Sequence, residues 1–172
     1  MPWPKPLRND MTTYTLQREQ FIPRPVAEVF AFFSLAENLG VLTPPWMHFR
    51  ILSPLPINMA AGTLIDYRVW WRWLPVRWRT EITQWQPPYR FSDVQRRGPY
   101  KLWHHTHTFQ PVDGGTLMTD EVHYALTLGP LGRLMHRLIV KRDVETIFDY
   151  RMERIKERFG TKLVGCEEAF VS

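Results

Sequence analysis

Between Gly62 and Leu128 the chain alternates short β-prone runs with turns rich in proline and glycine, and from Arg133 to Phe159 it carries neither residue. A string of strands followed by one long helix leaves few architectures open. The spacing predicts strands over Gly62–Arg72, Val76–Trp85, Tyr89–Gln95, Tyr100–Gln110 and Thr116–Leu128, with a short one over Met47–Ser53 before them. Trp73-Leu74-Pro75, Gln86-Pro87-Pro88, Gly98-Pro99 and Asp113-Gly114-Gly115 supply the turns. Connections this short make sequence neighbours antiparallel partners. Gly129-Pro130 closes the sheet, and a helix follows from Leu131 to about Phe159, capped by Gly160. At 1.5 Å per residue it runs about 40 Å, enough to cross the whole sheet. Its apolar stripe is Leu131, Leu134, Met135, Leu138, Ile147, Phe148 and Ile155, with Arg137, Lys141, Arg142, Arg151 and Arg154 on a solvated side.

The chain before this sheet is simpler. Thr13–Ile22 reads as a first strand, ended by Pro23 and Pro25. Pro25 suits the first turn of a helix, along which Val26, Val29, Phe30 and Phe33 recur at helical spacing. Ser34 is placed to cap a second short helix that reaches Leu42 and stops at Thr43-Pro44-Pro45. Residues 1–12 read as a loose arm and 161–172 as a loose tail, leaving one domain over 13–160.

The segment Tyr100–Gln110, YKLWHHTHTFQ, concentrates the chemistry. As a strand it puts Trp103, His105, His107 and Phe109 on one face, the two imidazoles roughly 7 Å apart along the backbone. Large aromatics mixed with a few polar groups are what a small-molecule pocket needs. Assigning inward faces by the apolar alternate residues places Ile65, Tyr67, Val69 and Trp71 inside on one strand, and Trp78, Thr80 and Ile82 on the next. Phe91 brings Asp93 and Gln95 with it, and Val122 and Tyr124 bring Met118 and Asp120. The expected ligand-binding set is therefore Tyr67, Trp71, Trp78, Thr80, Phe91, Asp93, Gln95, Trp103, His105, His107, Asp120, Tyr124 and, from the long helix, Leu138.

Composition narrows the partners. Eight tryptophans among 172 residues argue for an aromatic-lined interior. The net charge of +5 is spread over several segments, so a nucleic-acid partner is not expected. In Trp70–Arg79 alternate tryptophans read as facing a cavity while arginines cover the outer face. The lone cysteine, Cys166, excludes an intrachain disulfide and fits a reducing compartment. With no run of eighteen apolar residues and no signal-peptide core at the N-terminus, the chain reads as cytoplasmic, without stable membrane insertion.

Three stretches carry a family resemblance: FIPRPVAEVFAFF early, PPYRFSDVQRRGPYKLWHHTHTF in the middle, and GGTLMTDEVHYAL running into GPLGRL. Over about Thr13–Phe159 the chain resembles the START/Bet v 1-like (SRPBCC) superfamily, in its polyketide cyclase/dehydrase-like branch. The resemblance implies an α+β helix-grip fold: a curved antiparallel sheet around a long C-terminal helix, with two short helices after strand 1. The Gly-Pro-Tyr and Trp-x-His-x-His-x-Phe pattern resembles a small bacterial subgroup whose relatives are fused to, or encoded beside, sugar-nucleotide epimerase-like proteins.

In such a fold the expected function is binding of a mostly apolar small molecule, lipid-, isoprenoid- or polyketide-like, between sheet and helix. One alternative is a cyclase or dehydratase in which His105, His107 and Asp120 are the candidate acid/base groups. Another is an interaction module for an epimerase-like partner. His105 and His107 also have the spacing of two metal ligands on one strand face, with Asp93 or Asp120 as a third, but the pattern is short and no second paired motif accompanies it. No metal and no cofactor are expected. Neither the ligand nor the oligomeric state is legible.

Overall fold

The computed structural model describes residues 12–127 and 129–160. The expected N-terminal arm up to Met11, the C-terminal tail and Cys166 lie outside the described residues. Strand β1 (Thr13–Ile22) leads into helix α1 (Val26–Phe33), a 3₁₀ turn at Ala36–Asn38 and the one-turn helix α2 (Leu39–Leu42). Strands β2 (Arg50–Ile51), β3 (Leu64–Trp71), β4 (Leu74–Gln86), β5 (Arg90–Arg97), β6 (Leu102–Val112) and β7 (Gly115–Ala125) follow. The chain then runs as helix through α3 (Gly129–Met135), a π-helical turn at His136–Val140, and α4 (Lys141–Phe159). All seven strands form one antiparallel sheet in the order β1-β7-β6-β5-β4-β3-β2. First and last strands pair over their full lengths, from Thr13 opposite Ala125 to Ile22 opposite Thr116. This is the helix-grip arrangement.

Several local expectations change. Ser34 does not cap a second helix; its hydroxyl donates to the Ala31 carbonyl and it ends α1. The β3–β4 turn is Arg72-Trp73 rather than Trp73-Leu74-Pro75, because Trp71 pairs with Leu74 and leaves a two-residue hairpin. Arg72 adopts a φ of 58°, the left-handed conformation that such a turn demands and that glycine normally supplies. In β4 the register slips between Ile82 and Gln84, so inward-facing positions change from even to odd numbers and Trp85 pairs with Phe91.

The largest departure is in the long helix. Its buried residues are Gly132, His136, Val140, Val144, Phe148, Arg151, Ile155 and Phe159, spaced by four from Gly132 through the π turn to Phe148. A π turn inserts one extra residue into the helical repeat, so the inner face upstream of it is rotated by about 100° relative to an uninterrupted helix. Leu131, Leu134 and Leu138, expected on the apolar stripe, consequently project outward, Leu138 with 64% of its surface exposed.

The interior packs as three clusters. Ile22, Phe30, Phe33, Phe91, Phe109, Ile155 and Phe159 form the first, with Phe30 edge-on to both Phe91 and Phe109. Leu16, Val122, Tyr124, Val140, Val144 and Phe148 form the second, and Ala36, Ile65 and Ile82 the third. Members of all three wall the cavity described below.

The β6–β7 turn shows how tightly the sheet edge is drawn. A Cβ at Gly115 would lie 2.2 Å from the Ile22 carbonyl oxygen and 3.0 Å from the Phe21 ring. Since the first obstacle is backbone, Gly115→Ala is expected to lower stability by about 1–3 kcal/mol, read as a lower urea midpoint at unchanged slope.

Candidate functional site

The site is assembled by strand register. Asp93 on β5 lies opposite His105 on β6, and His107, two residues on, lies opposite Asp120 on β7. Side chains two apart share a face, so two carboxylates and two imidazoles form a checkerboard on the concave side of the sheet. The rings lean together to a centroid separation of 3.8 Å. His107 is stacked on Phe91 at 4.1 Å, and the edge of Phe148 from α4 meets His105 at 5.4 Å.

Asp120 is buried, with 4% of its surface exposed. Its Oδ1 lies 3.2 Å from His105 Nε2 and 2.6 Å from His107 Nδ1. Its Oδ2 lies 3.1 Å from Nε of Arg151, which descends from α4 and also brings Nη2 to 3.4 Å from His107 Nδ1. The Arg151 guanidinium caps the Phe33 ring at 5.3 Å. Burial alone would push the Asp120 carboxyl upward, but Arg151, His107 and the imidazole hydrogen bonds outweigh it and hold Asp120 well below the ordinary carboxylate range. For His105 burial dominates, with the adjacent His107 adding to it, and the imidazole is lowered to about 4. It is neutral at physiological pH.

These groups form one wall of a cavity of about 280 Å³ between the sheet, α1, α2 and α4. The remaining walls are largely aromatic and aliphatic: Tyr67, Val69, Trp71, Trp78, Tyr100 and Trp103 from the sheet side, Leu42, Val144, Ile147 and Phe148 from the helices. Trp78 is the hub of the aromatic side, stacked with Tyr67 at 6.0 Å and edge-on to Trp103 at 5.4 Å. Thr80 holds two of these polar tips, lying 3.2 Å from the Tyr67 hydroxyl and accepting from Trp78 Nε1 at 3.1 Å. Burial raises both Tyr67 and Tyr100, so each phenol stays protonated.

At the tip of the β3–β4 hairpin, Trp71 Nε1 donates to Asp143 Oδ2 at 2.8 Å and Arg72 donates to Oδ1 at 3.3 Å. The hairpin is thereby latched to the start of α4. Trp73, beside the latch, is 75% exposed. On the outer face of the same hairpin, Arg79 is paired with Asp66 through two 2.8 Å bonds.

Of the residues singled out in the sequence, Tyr67, Trp71, Trp78, Thr80, Phe91, Asp93, Trp103, His105 and His107 sit on the cavity wall. Asp120 faces inward but lies behind the two imidazoles rather than on the wall. Gln95 is engaged by the β5–β6 turn, its amide donating to the Tyr100 carbonyl at 2.6 Å and accepting from the Tyr100 amide at 3.3 Å. Tyr124 is buried against the helix, its hydroxyl 2.9 Å from His136 Nε2, and the His136 ring stacks on Tyr14 at 3.4 Å. Leu138 is a correction: the π turn carries it to the outer face, away from the cavity. Arg151 is a second correction, since it is buried rather than part of a solvated face. Its position between Phe148 and Ile155 at helical spacing was the signal for this.

The fold agrees with comparisons to known proteins. Residues 13–160 match the family described as polyketide cyclase / dehydrase and lipid transport, and the chain belongs to that family. No curated protein matches it. Among solved structures, an aromatase/cyclase from a Streptomyces strain superposes with a TM-score of 0.69 at 12% identity, over 87% of this chain and 94% of the other. A norcoclaurine synthase point mutant from Thalictrum flavum, in complex with a transition-state analogue, gives 0.61 at 13% identity over 88% and 99%. A nucleoside-diphosphate sugar epimerase from Corynebacterium glutamicum gives 0.59 at 25% identity, over 83% of this chain but 28% of that one. The first two likenesses establish the fold alone. Among the described residues, no helix is long and apolar enough to cross a membrane.

Because Asp120 and Arg151 are both nearly out of solvent, removing one partner strands the other. Arg151→Ala is expected to cost about 3–5 kcal/mol in urea unfolding. Adding Asp120→Asn to it should recover part of that loss; a double variant as unstable as the sum of the two single ones would exclude the pairing as the cause.

Proposed function

We propose that the protein binds a mostly apolar small molecule, lipid-, isoprenoid- or polyketide-like, between the sheet and the C-terminal helix. The observation that carries this reading is the cavity itself: a partly open, largely aromatic and aliphatic space with Asp93, His105 and His107 side by side on its wall. The apolar body of a ligand gains its affinity by leaving water for that space, and the Asp93/His105/His107 wall fixes the direction in which a polar end points. A volume of about 280 Å³ is at the small end for ligand pockets, which favours a single chain or a small fused-ring molecule over a two-chain lipid. The latch from Trp71 and Arg72 to Asp143 stands where hairpin and helix meet beside the cavity, so it is the natural place for a ligand to enter.

A second reading is supported by the Asp120–imidazole contacts. A carboxylate behind an imidazole orients a base, and the same wall would present it to a substrate carbonyl in a cyclisation or dehydration. Turnover of a polyketide-like thioester that is lost in His107→Ala would favour this reading over simple binding. The epimerase likeness supports a third, in which the domain serves an epimerase-like partner, and co-purification with such a protein tests it.

The binding reading is tested by native mass spectrometry of freshly purified protein, followed by denaturing extraction. One apolar molecule per chain is expected. Stripped protein should take up a fluorescent fatty-acid analogue at one site, with affinity lowered about tenfold or more in the cavity-filling variant Ile147→Trp. Equal affinity in that variant would place the analogue elsewhere and sink the proposal.

A further inference from the structure

The spacing of Asp93, His105 and His107 suits an ion better than it suits hydrogen bonds. Asp93 Oδ2 lies 3.8 Å from His105 Nδ1 and 3.6 Å from His107 Nε2, beyond hydrogen-bond reach. All three atoms fall within 4.8 Å of one another. The opposite nitrogens, His105 Nε2 and His107 Nδ1, both approach the same oxygen of Asp120, at 3.2 and 2.6 Å. A carboxylate only accepts, so His105 Nε2, hydrogen-bonded to it, carries that ring's proton, and His107 Nδ1 at 2.6 Å is placed to do the same. The Arg151 approach to His107 Nδ1, at 3.4 Å, is the weaker contact and does not change this. In a neutral imidazole the other nitrogen then bears a lone pair, and both lone pairs point toward the Asp93 oxygen.

Two ring nitrogens and a carboxylate oxygen that converge just beyond hydrogen-bond reach have the arrangement that a shared cation would join. We propose that Asp93 Oδ2, His105 Nδ1 and His107 Nε2 form a three-ligand site for a divalent transition-metal ion of the zinc class, with the fourth position directed into the cavity. Tetrahedral bonds of about 2.0–2.1 Å separate neighbouring ligands by about 3.3–3.4 Å, so the two Asp93 edges need to close by a few tenths of an ångström and the imidazole–imidazole edge, within 4.8 Å, by up to about 1.4 Å. Two imidazoles with one carboxylate select zinc, iron, nickel or copper over calcium or magnesium, which take all-oxygen sets.

The surroundings fit the same purpose. A metal-bound histidine ordinarily donates its second N–H to a carboxylate that fixes tautomer and ring orientation. Asp120 does this for both rings at once and is itself pinned by Arg151. Asp93, His105 and His107 all reach the cavity wall, whereas Asp120 does not. The ion therefore belongs on the ligand side and its support on the far side. That the fourth position takes an oxygen of the cavity ligand rests on the binding reading above; the ion site itself does not.

The test is a titration of metal-free full-length protein, carrying no histidine tag, with Zn²⁺ in competition with a chromophoric chelator, and with Co²⁺ followed by visible absorption. One equivalent of each is expected, the cobalt form showing the intense bands of a four-coordinate ion. Asp120→Asn should weaken binding by about 10–100-fold, and His107→Ala or Asp93→Asn by more. Because Asp93 is at the cavity wall, its variant keeps the test informative if the Asp120 variant unfolds. The double variant His104→Ala, His123→Ala removes the imidazole pair whose rings sit 6.5 Å apart elsewhere on the sheet and should change nothing. Sub-stoichiometric binding, weak six-coordinate cobalt bands, or loss of binding only in that double variant would overturn the proposal. The fatty-acid analogue is titrated separately into the metal-free protein. Its failure with the cobalt spectrum intact removes the ligand reading alone, and the converse removes the ion site alone.

Discussion

A carboxylate almost without solvent contact must be surrounded by donors, and the way Asp120 meets that demand determines much of this structure. One oxygen faces two imidazoles from the neighbouring strand and the other faces an arginine from the helix. The register of β6 on β7 is therefore tied to the angular position of α4, because a residue of slip in either would strand a charge in the interior. Aromatic packing could tolerate small slides between sheet and helix. This ionic contact does not.

The cavity follows from the same arrangement. Phe148 meets His105, Phe33 lies under the Arg151 guanidinium, and Phe91 stacks on His107, so the polar wall is held by apolar groups on every side. On the other flank Thr80 satisfies the polar tips of Tyr67 and Trp78, letting large aromatic faces line the space without leaving their donors unpaired. The result is a volume whose chemistry is graded from hydrocarbon-like to ionic over the width of a small molecule. Binding, proton transfer and ion coordination all draw on that gradient, which is why one set of residues serves each reading.

Strand faces were legible because their period of two is robust: the residues of β3, β5, β6 and β7 assigned inward do turn inward. What alternation cannot convey is depth. Asp120 and Asp93 both face the concave side, yet only Asp93 reaches the cavity, since cross-strand partners and rotamers decide which carboxylate stands behind the rings. Tyr124 and Gln95 likewise point inward but are claimed by His136 and by the β5–β6 turn, partners that no local pattern announces. An arginine on a helix is usually solvated, but the place of Arg151 between Phe148 and Ile155 puts it on the inner stripe. Leu138 departs for a different reason: a period of 3.6 would turn it inward, and the helix does not keep that period through residues 136–140.

That π turn fixes how many residues the chain must spend between the closing loop and the cavity. Gly132, pressed where a Cβ would lie 2.2 Å from the Thr127 carbonyl oxygen, anchors one end of the helix, and Arg151 at Asp120 anchors the other. The two ends are in phase only because the intervening segment carries one residue beyond a regular helical count. A relative of equal length lacking the widened turn would be one residue out of phase there. To keep its arginine over the carboxylate, it would have to present a different side of its first helical turns to the sheet.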